Sequence, residues 1–223
     1  MPSEIAIDDN DVLLAIDLQA DFMPGGALEV DEGDSIVPAV NALMRSFAHV
    51  VVTQDWHPRG HASFASTHDA EPFATKRLHY GDQTLWPDHC VQGTGGAALH
   101  PELETDNAFL ILRKGMRADV DSYSAFVEAD RRTTTGLAAL LHARGVRRVF
   151  CCGLATDYCV AFSALDAHAA GFETFVIEDA CRAIDANDSL DAAWARMNAA
   201  EVWRIQSREI LGVASRRGGL TAG

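Results

Sequence analysis

The stretch Val146-Arg147-Arg148-Val149-Phe150-Cys151-Cys152-Gly153-Leu154-Ala155-Thr156-Asp157-Tyr158-Cys159-Val160-Ala161-Phe162-Ser163-Ala164-Leu165 reads as a strand, a turn and a helix in immediate succession. The run from Val146 to Cys152 is apolar and β-prone, and Gly153 breaks it. From Val160 onward, apolar residues recur at the spacing of a helix that faces a core. Cys159 falls at the strand-to-helix turn, where backbone N–H groups are unpaired and the helix dipole is positive. Both effects favour the thiolate, the reactive form of cysteine. The same position also suits a small buried hydrophobe, so the meaning of the thiol depends on the rest of the chain.

Working outward, six apolar, β-prone runs recur: Val12–Asp17, Val50–Gln54, Phe109–Arg113, Val146–Cys152, Thr174–Ile177 and Val202–Ile205. Helical periodicity marks Ser35–Phe47, Thr135–Arg144, Asp157–Ala170 and Ser189–Ala199. Continuously apolar strands alternating with helices predict an α/β fold covered on both faces. We therefore expect a three-layer α/β/α architecture on a mostly parallel, six-stranded, Rossmann-like sheet. Gly145 and Gly171 sit just past two of the helices, as helix C-terminal glycines do. One connection breaks the rhythm. Roughly 50 residues separate the second run from the third, too many for an ordinary loop. They hold six of the nine histidines, together with Trp56, Trp86, Phe64 and Phe73, which argues for an ordered insertion. The expectation is one domain over 1–223 with an insertion at about 55–106.

Apolar residues make up 48% of the 223, enough for one sizeable core, and no stretch approaches the roughly 20 apolar residues of a membrane span. The net charge of −14 argues against binding nucleic acid, and Arg216-Arg217 is only a pair. Met1-Pro2-Ser3-Glu4 lacks the basic and apolar segments of a secretory signal. The five cysteines, Cys90, Cys151, Cys152, Cys159 and Cys181, are odd in number and irregularly spaced, a poor disulfide framework. A reducing compartment, the cytoplasm, fits best. Composition leaves open whether the chain is a monomer or a homo-oligomer. Only the last residues, with Gly218-Gly219 and Gly223, read as frayed.

Ligands of open parallel sheets bind beyond the carboxyl ends of the strands. Those ends carry Asp17, Asp55 and Lys114, with Cys159 beyond the fourth strand. Singly, Asp17 could cap a turn and Lys114 could be a solvated charge. Jointly they offer what a cysteine nucleophile needs. A free thiol is only a few per cent ionised at neutral pH. A carboxylate can take its proton, an ammonium can hold that carboxylate, and N–H groups near Ala155 and Cys159 can receive an oxyanion.

The segment Asp55-Trp56-His57-Pro58-Arg59-Gly60-His61 offers a second chemistry. In extended chain, Asp55 and His57 point to the same side. A third ligand could come from His61 or His89. Two imidazoles and a carboxylate suit zinc, iron or manganese. Cys90, next to His89, is read as packing, and His68, His79, His100, His142 and His168 as ordinary histidines.

Several longer motifs now come together. They are Ile16-Asp17-Leu18-Gln19-Ala20-Asp21-Phe22; Thr53-Gln54-Asp55-Trp56-His57-Pro58, with His61 and Ser63-Phe64; Trp86-Pro87-Asp88-His89-Cys90-Val91-Gln92-Gly93-Thr94; Arg113-Lys114-Gly115; Ser122-Tyr123-Ser124-Ala125-Phe126; and Gly153 to Val160. From about residue 12 to 206 the chain resembles the nicotinamidases of the isochorismatase-like cysteine hydrolases. The resemblance implies a triad of Asp17, Lys114 and Cys159, and one divalent metal ion, zinc ahead of iron or manganese, on Asp55, His57 and His89. Its choice of His89 over His61 comes from the family; some relatives use a residue near His61, and Ser63 would orient a metal-bound water. It further implies a ring pocket of Phe22, Trp86 and Tyr123, a cis peptide between Leu154 and Ala155 at the substrate, and an oxyanion hole at Ala155 and Cys159. Tyr158, where some relatives carry histidine, is read as a bystander. The implied reaction, part of NAD salvage, converts nicotinamide to nicotinate and ammonia through a thioester, with pyrazinamide as a further substrate. The alternatives are a related cysteine hydrolase of another small amide or carbamoyl compound, which the metal set disfavours, and a non-enzymatic binding module, which the intact triad disfavours.

Overall fold

A computed structural model describes residues 5–210; the Met1–Glu4 segment, Arg216-Arg217 and the glycines of the C-terminal end lie outside the described residues. Six strands form one sheet: β1 (Asp11–Ile16), β2 (His49–Asp55), β5 (Ala108–Lys114), β6 (Arg148–Leu154), β7 (Glu173–Arg182) and β8 (Trp203–Ile205). Their order is β5-β2-β1-β6-β7-β8, and every neighbouring pair is parallel. The helices α1 (Val37–Met44), α2 (Leu137–Ala143), α3 (Ala161–Ala169) and α4 (Ser189–Ala199) connect them. All six residues of β1 are buried, which is why this strand is a continuous apolar run rather than an alternating one. The sheet thus agrees with the expected architecture and is parallel throughout.

From β1 the chain builds first toward β2 and β5, then returns to the other side of β1 with β6 and continues outward. This reversal opens a crevice at the carboxyl ends of β1 and β6, where doubly wound sheets bind ligands. Asp17 follows β1 directly, and Cys159 lies five residues past the end of β6.

Three predicted helices begin later than their periodicity, α2 starting two residues into the Thr135–Arg144 segment. The first turn of the Ser35–Phe47 segment is a 3₁₀ turn, Gly33–Ile36, before α1. The Asp157–Ala170 segment opens with a wide turn, Thr156–Val160, in which Val160 N–H reaches back to Ala155 O at 3.1 Å. Such i→i−5 turns often mark functional positions. Gly145 and Gly171 do end helices, with φ of 76° and 93°.

The insertion contains no helix beyond a single turn at Ala65–His68. It carries the antiparallel hairpin β3 (Thr75–Leu78) and β4 (Gly81–Thr84); single bridges His57–Val91 and Phe64–Trp86 close it on itself, and Gln19–Leu99 ties it to the segment after β1. No helix among the described residues is long and apolar enough to cross a membrane.

Gly153 sits beside Ile16 in the β1–β6 ladder with φ of 116°, and a Cβ there would lie 2.1 Å from Ile16 O. Both objections concern backbone, so no rotamer relieves them. Gly153→Ala is expected to destabilise the fold by about 3–5 kcal/mol, read as a lowered denaturant midpoint. An unchanged midpoint would mean that β1 and β6 are less tightly apposed.

Candidate active site

Lys114, at the end of β5, is fully buried in the crevice. Its ammonium lies 2.8 Å from Asp17 Oδ2 and 2.6 Å from Asp55 Oδ1. It donates to Asp55 Oδ1, to Ser122 O at 3.0 Å and to Cys159 Sγ at 3.3 Å. An ammonium has three protons. Four acceptors thus compete for three protons, and Asp17 Oδ2 is held against the ammonium as an ion-pair partner. Asp17 Oδ1 accepts from Thr53 Oγ1 at 2.6 Å, and Thr53 Oγ1 accepts in turn from Asp17 N–H at 3.1 Å. Ligand atoms of Asp17, Asp55 and Cys159 lie within 4.8 Å of one another. The structure thus brings together Asp17, Lys114 and Cys159 from strand ends 97 and 142 residues along from Asp17.

The charges follow from this packing. Burial works against the Lys114 ammonium, but Asp17 and Asp55 outweigh it and hold the group charged, well above its ordinary range. Burial lifts the Asp17 carboxyl, with Lys114 opposing and Asp55 assisting. Burial would also lift Asp55, yet Lys114, His57 and His89 together hold it well below the usual carboxylate range. For Cys159, burial pushes the thiol up, with Lys114 opposing and the two carboxylates adding to the rise. The turn therefore does not by itself yield the resting thiolate that its dipole favours. The thiol is protonated at rest, and an adjacent acceptor must take its proton.

His57 Nε2 and His89 Nε2 both face Asp55 Oδ2, at 3.4 and 3.9 Å. The opposite nitrogens are engaged with carbonyls, His57 Nδ1 with Gly115 O at 3.0 Å and His89 Nδ1 with Pro87 O at 2.8 Å. A carbonyl only accepts, so each Nδ1 carries the proton and each Nε2 presents its lone pair. This is the arrangement in which an outer hydrogen bond orients a metal-ligating histidine. His61 is different. Its Nε2 meets Val120 O at 3.1 Å and its Nδ1 meets Ser63 Oγ at 2.7 Å, so both nitrogens are occupied. Asp55, His57 and His89 form a donor set within 4.8 Å that fits a divalent metal ion. Asp55 lifts His57 above its ordinary value against burial, whereas burial and the neighbouring His57 push His89 down to about 4.

Beside these groups lies a pocket walled by Phe22, Trp86, Tyr123, Tyr158, Leu28 and Ile184, with Ala155, Cys159, Asp121 and the three metal-type donors on its lining. Trp86 Nε1 and Gln83 Nε2 both donate to the Tyr123 hydroxyl, at 2.9 and 3.0 Å, fixing the two rings. The Leu154–Ala155 peptide is cis. Ala155 reaches the pocket, but Leu154, expected at the substrate, does not line it. Leu154 is fully buried, with its Cδ1 under Gly33.

Sequence reasoning missed other residues. Gln19 accepts from Asp55 N–H at 2.7 Å and donates to Asp55 O at 2.8 Å, so one amide fixes both backbone groups of the metal-type carboxylate. Asp21 Oδ2 accepts from Cys90 N–H at 2.7 Å, next to His89. Both residues stand in a quoted motif, the only signal that could have marked them. Tyr158 is on the wall, its ring edge-on to Trp86 at 4.8 Å. Leu28, Ile184 and Asp121 had no sequence signal. Cys90, Cys151, Cys152 and Cys181 are all buried and free, as packing residues are.

The profile described as Isochorismatase domain matches residues 11–209. A nicotinamidase of Acinetobacter baylyi is 54% identical over 203 residues, covering 91% of this chain and 95% of that one. The solved nicotinamidase/pyrazinamidase of Acinetobacter baumanii is 52% identical with a TM-score of 0.90, covering 91% and 98% of the two chains. A Pyrococcus horikoshii pyrazinamidase solved in complex with zinc is 38% identical with a TM-score of 0.72, covering 88% and 99%.

Proposed function

The chain belongs to the isochorismatase family, and from that premise we propose that Cys159, Asp17 and Lys114 carry out the hydrolysis of a pyridine carboxamide. The protein is an amide hydrolase that converts nicotinamide to nicotinate and ammonia and also acts on pyrazinamide. The observation that carries the residue assignment is the buried convergence of the three groups: the Lys114 ammonium touches Asp17 Oδ2 at 2.8 Å and Cys159 Sγ at 3.3 Å, with the carboxylate and the sulfur within 4.8 Å of each other.

Asp17 takes the Cys159 proton as the sulfur attacks the carboxamide carbon. A carboxyl lifted by burial is a better base than an exposed one. Lys114 keeps its charge throughout and steadies the negative charge passing between sulfur and carboxylate. Backbone N–H groups of Ala155 and Cys159 hold the oxyanion; losing one such donor typically costs about 10²–10³ in rate. Asp17 returns the proton to the departing nitrogen, ammonia leaves, and a thioester remains on Cys159. Water, deprotonated by Asp17, cleaves the thioester to nicotinate, and Cys159 recovers its proton. Phe22, Trp86 and Tyr123 bury the ring and exclude bulk water.

Asp55, His57 and His89 hold a divalent ion, which we assign as zinc, with iron and manganese compatible with the same donors. When bound, the ion supplies a Lewis acid for the ring nitrogen, orienting the ring and drawing electron density from it. Thorough chelation is expected to lower kcat/KM by about 10²-fold, the cost of lost orientation. Because Asp55 raises His57 against burial, a metal ion at its Nε2 competes with a proton. Metal affinity should therefore rise with pH, by about tenfold per unit while His57 remains protonated, as read by competition with a chromophoric chelator. A pH-independent affinity would exclude His57 as a ligand.

The test of the reaction is ammonia release from nicotinamide by the metal-replete protein. No release would overturn the reading.

A further inference from the structure

Asp157 takes no part in the steps above, yet it is buried two residues before the nucleophile. Its carboxylate accepts three hydrogen bonds, all from a segment 27 to 32 residues further along the chain. Oδ1 accepts from Ile184 N–H at 3.1 Å; Oδ2 accepts from Asp185 N–H at 2.9 Å and from Ser189 Oγ at 2.5 Å. Ile184 lines the substrate pocket, as does Tyr158 next to Asp157.

Within the segment that Asp157 grips, the bonds are long: Ser189 N–H to Ala186 O and Leu190 N–H to Asp185 Oδ1, both at 3.3 Å. Asp185, Asn187 and Asp188 all have positive φ, at 51°, 56° and 60°, a left-handed conformation that Asn and Asp adopt more readily than other side chains but that forms no regular element. The α4 N-cap, Asp188, makes no side-chain capping bond. The hydroxyl of Ser189, in the first turn of α4, is turned to Asp157 instead.

We infer that Asp157 is a positioning residue that fastens the 183–189 segment to the nucleophile turn and so holds Ile184 as a fixed wall of the ring pocket, setting which ring-substituted carboxamides enter. The inference rests on the amide hydrolysis assigned to Cys159. The physical reason is local. A carboxylate accepting from two backbone amides and a hydroxyl fixes the segment's distance from the turn. A wall that cannot retreat excludes a substituent that a loose one admits.

Asp157→Asn keeps the size but replaces an accepting oxygen with an amide group that can only donate, so at least one of the three bonds fails. The expected result is a KM for nicotinamide raised about tenfold with kcat changed only a few-fold. The preference in kcat/KM for nicotinamide over a ring-methylated nicotinamide should fall about tenfold, near the low end of what a methylene-sized difference in an apolar pocket is worth. Ser189→Ala should move both quantities in the same direction by less, and Ile184→Ala should reproduce the loss of preference. A purely structural role would reduce the active fraction, lowering kcat while leaving KM and the preference as in the wild type. That outcome in Asp157→Asn would overturn the inference. If that variant does not fold, an unchanged preference in both Ser189→Ala and Ile184→Ala overturns it. A wild type that releases no ammonia from nicotinamide sinks the functional reading itself, whereas an active wild type with an unmoved preference sinks only the role of Asp157.

Discussion

Cys159→Ala is expected to lower nicotinamide turnover by about 10⁴-fold or more, because groups that act as one catalytic unit fail together when the nucleophile is removed. The effect should be chemical. Cys159 is a small side chain that ends at the pocket, and its neighbours Asp17, Asp55 and Lys114 keep their mutual ion pairs without it. Removing the sulfur takes one acceptor from Lys114 and leaves two hydrogen-bonded ones. The thermal midpoint and metal affinity of the variant should therefore stay close to the wild type. Ammonia release at a wild-type rate by the purified variant would remove Cys159 as the nucleophile, whatever the geometry around it.

Lys114→Met should abolish turnover and also cost about 3–5 kcal/mol of stability, the range for removing one partner from a buried charge cluster. Methionine fills the space of the lysine stem but leaves Asp17 and Asp55 facing each other without a cation, in a site closed to water. The sign of the pH dependence follows. In the wild type, the folded Asp55 carboxyl is held below its ordinary value of 3.8. It contributes stability that is fully present above that value and is lost as pH falls through the lower, folded one. In the variant, the charge that depresses it most is gone, and only His57 and His89 still oppose burial. The deficit relative to wild type should be largest at neutral pH and shrink as the carboxylates protonate toward about pH 4. Denaturant melts of both proteins at the two pH values measure this. Equal stability at neutral pH would mean that the lysine is not the counter-charge of the pair.

The sequence showed much of the fold because its strands are apolar throughout. The run Val12–Asp17 lies within one residue of β1 at either end, and the Ser189–Ala199 helix has the predicted bounds. The helix predicted from Asp157 was blurred at its start, because periodicity does not distinguish an α-turn from the wide turn that precedes α3. The triad could be read as three residue types at three strand ends, since a parallel sheet gathers such ends on one edge. The polar residues that hold it could not. Gln19 and Thr53 are ordinary polar side chains until the pairing of β1 with β2 sets each against a partner 36 positions away. Leu154 was assigned to the substrate by its neighbours in the chain, but its side chain turned inward.

At the turn bearing Cys159, sequence alone determined the order of strand, turn and helix, because periodicity and glycine breaks act over a few residues. It also determined which reactive side chains stand at the strand ends. Tertiary structure decided what those side chains are. Burial made Cys159 a protonated thiol rather than a resting thiolate, and the convergence of the strand ends set the Asp17 carboxylate within 4.8 Å of its sulfur. A carbonyl occupies one nitrogen of His89, whereas a carbonyl and the Ser63 hydroxyl occupy the two of His61, so of these two only His89 keeps a free nitrogen to offer. Such outcomes depend on desolvation and hydrogen-bond direction between segments far apart in the chain, which no local pattern of residues encodes.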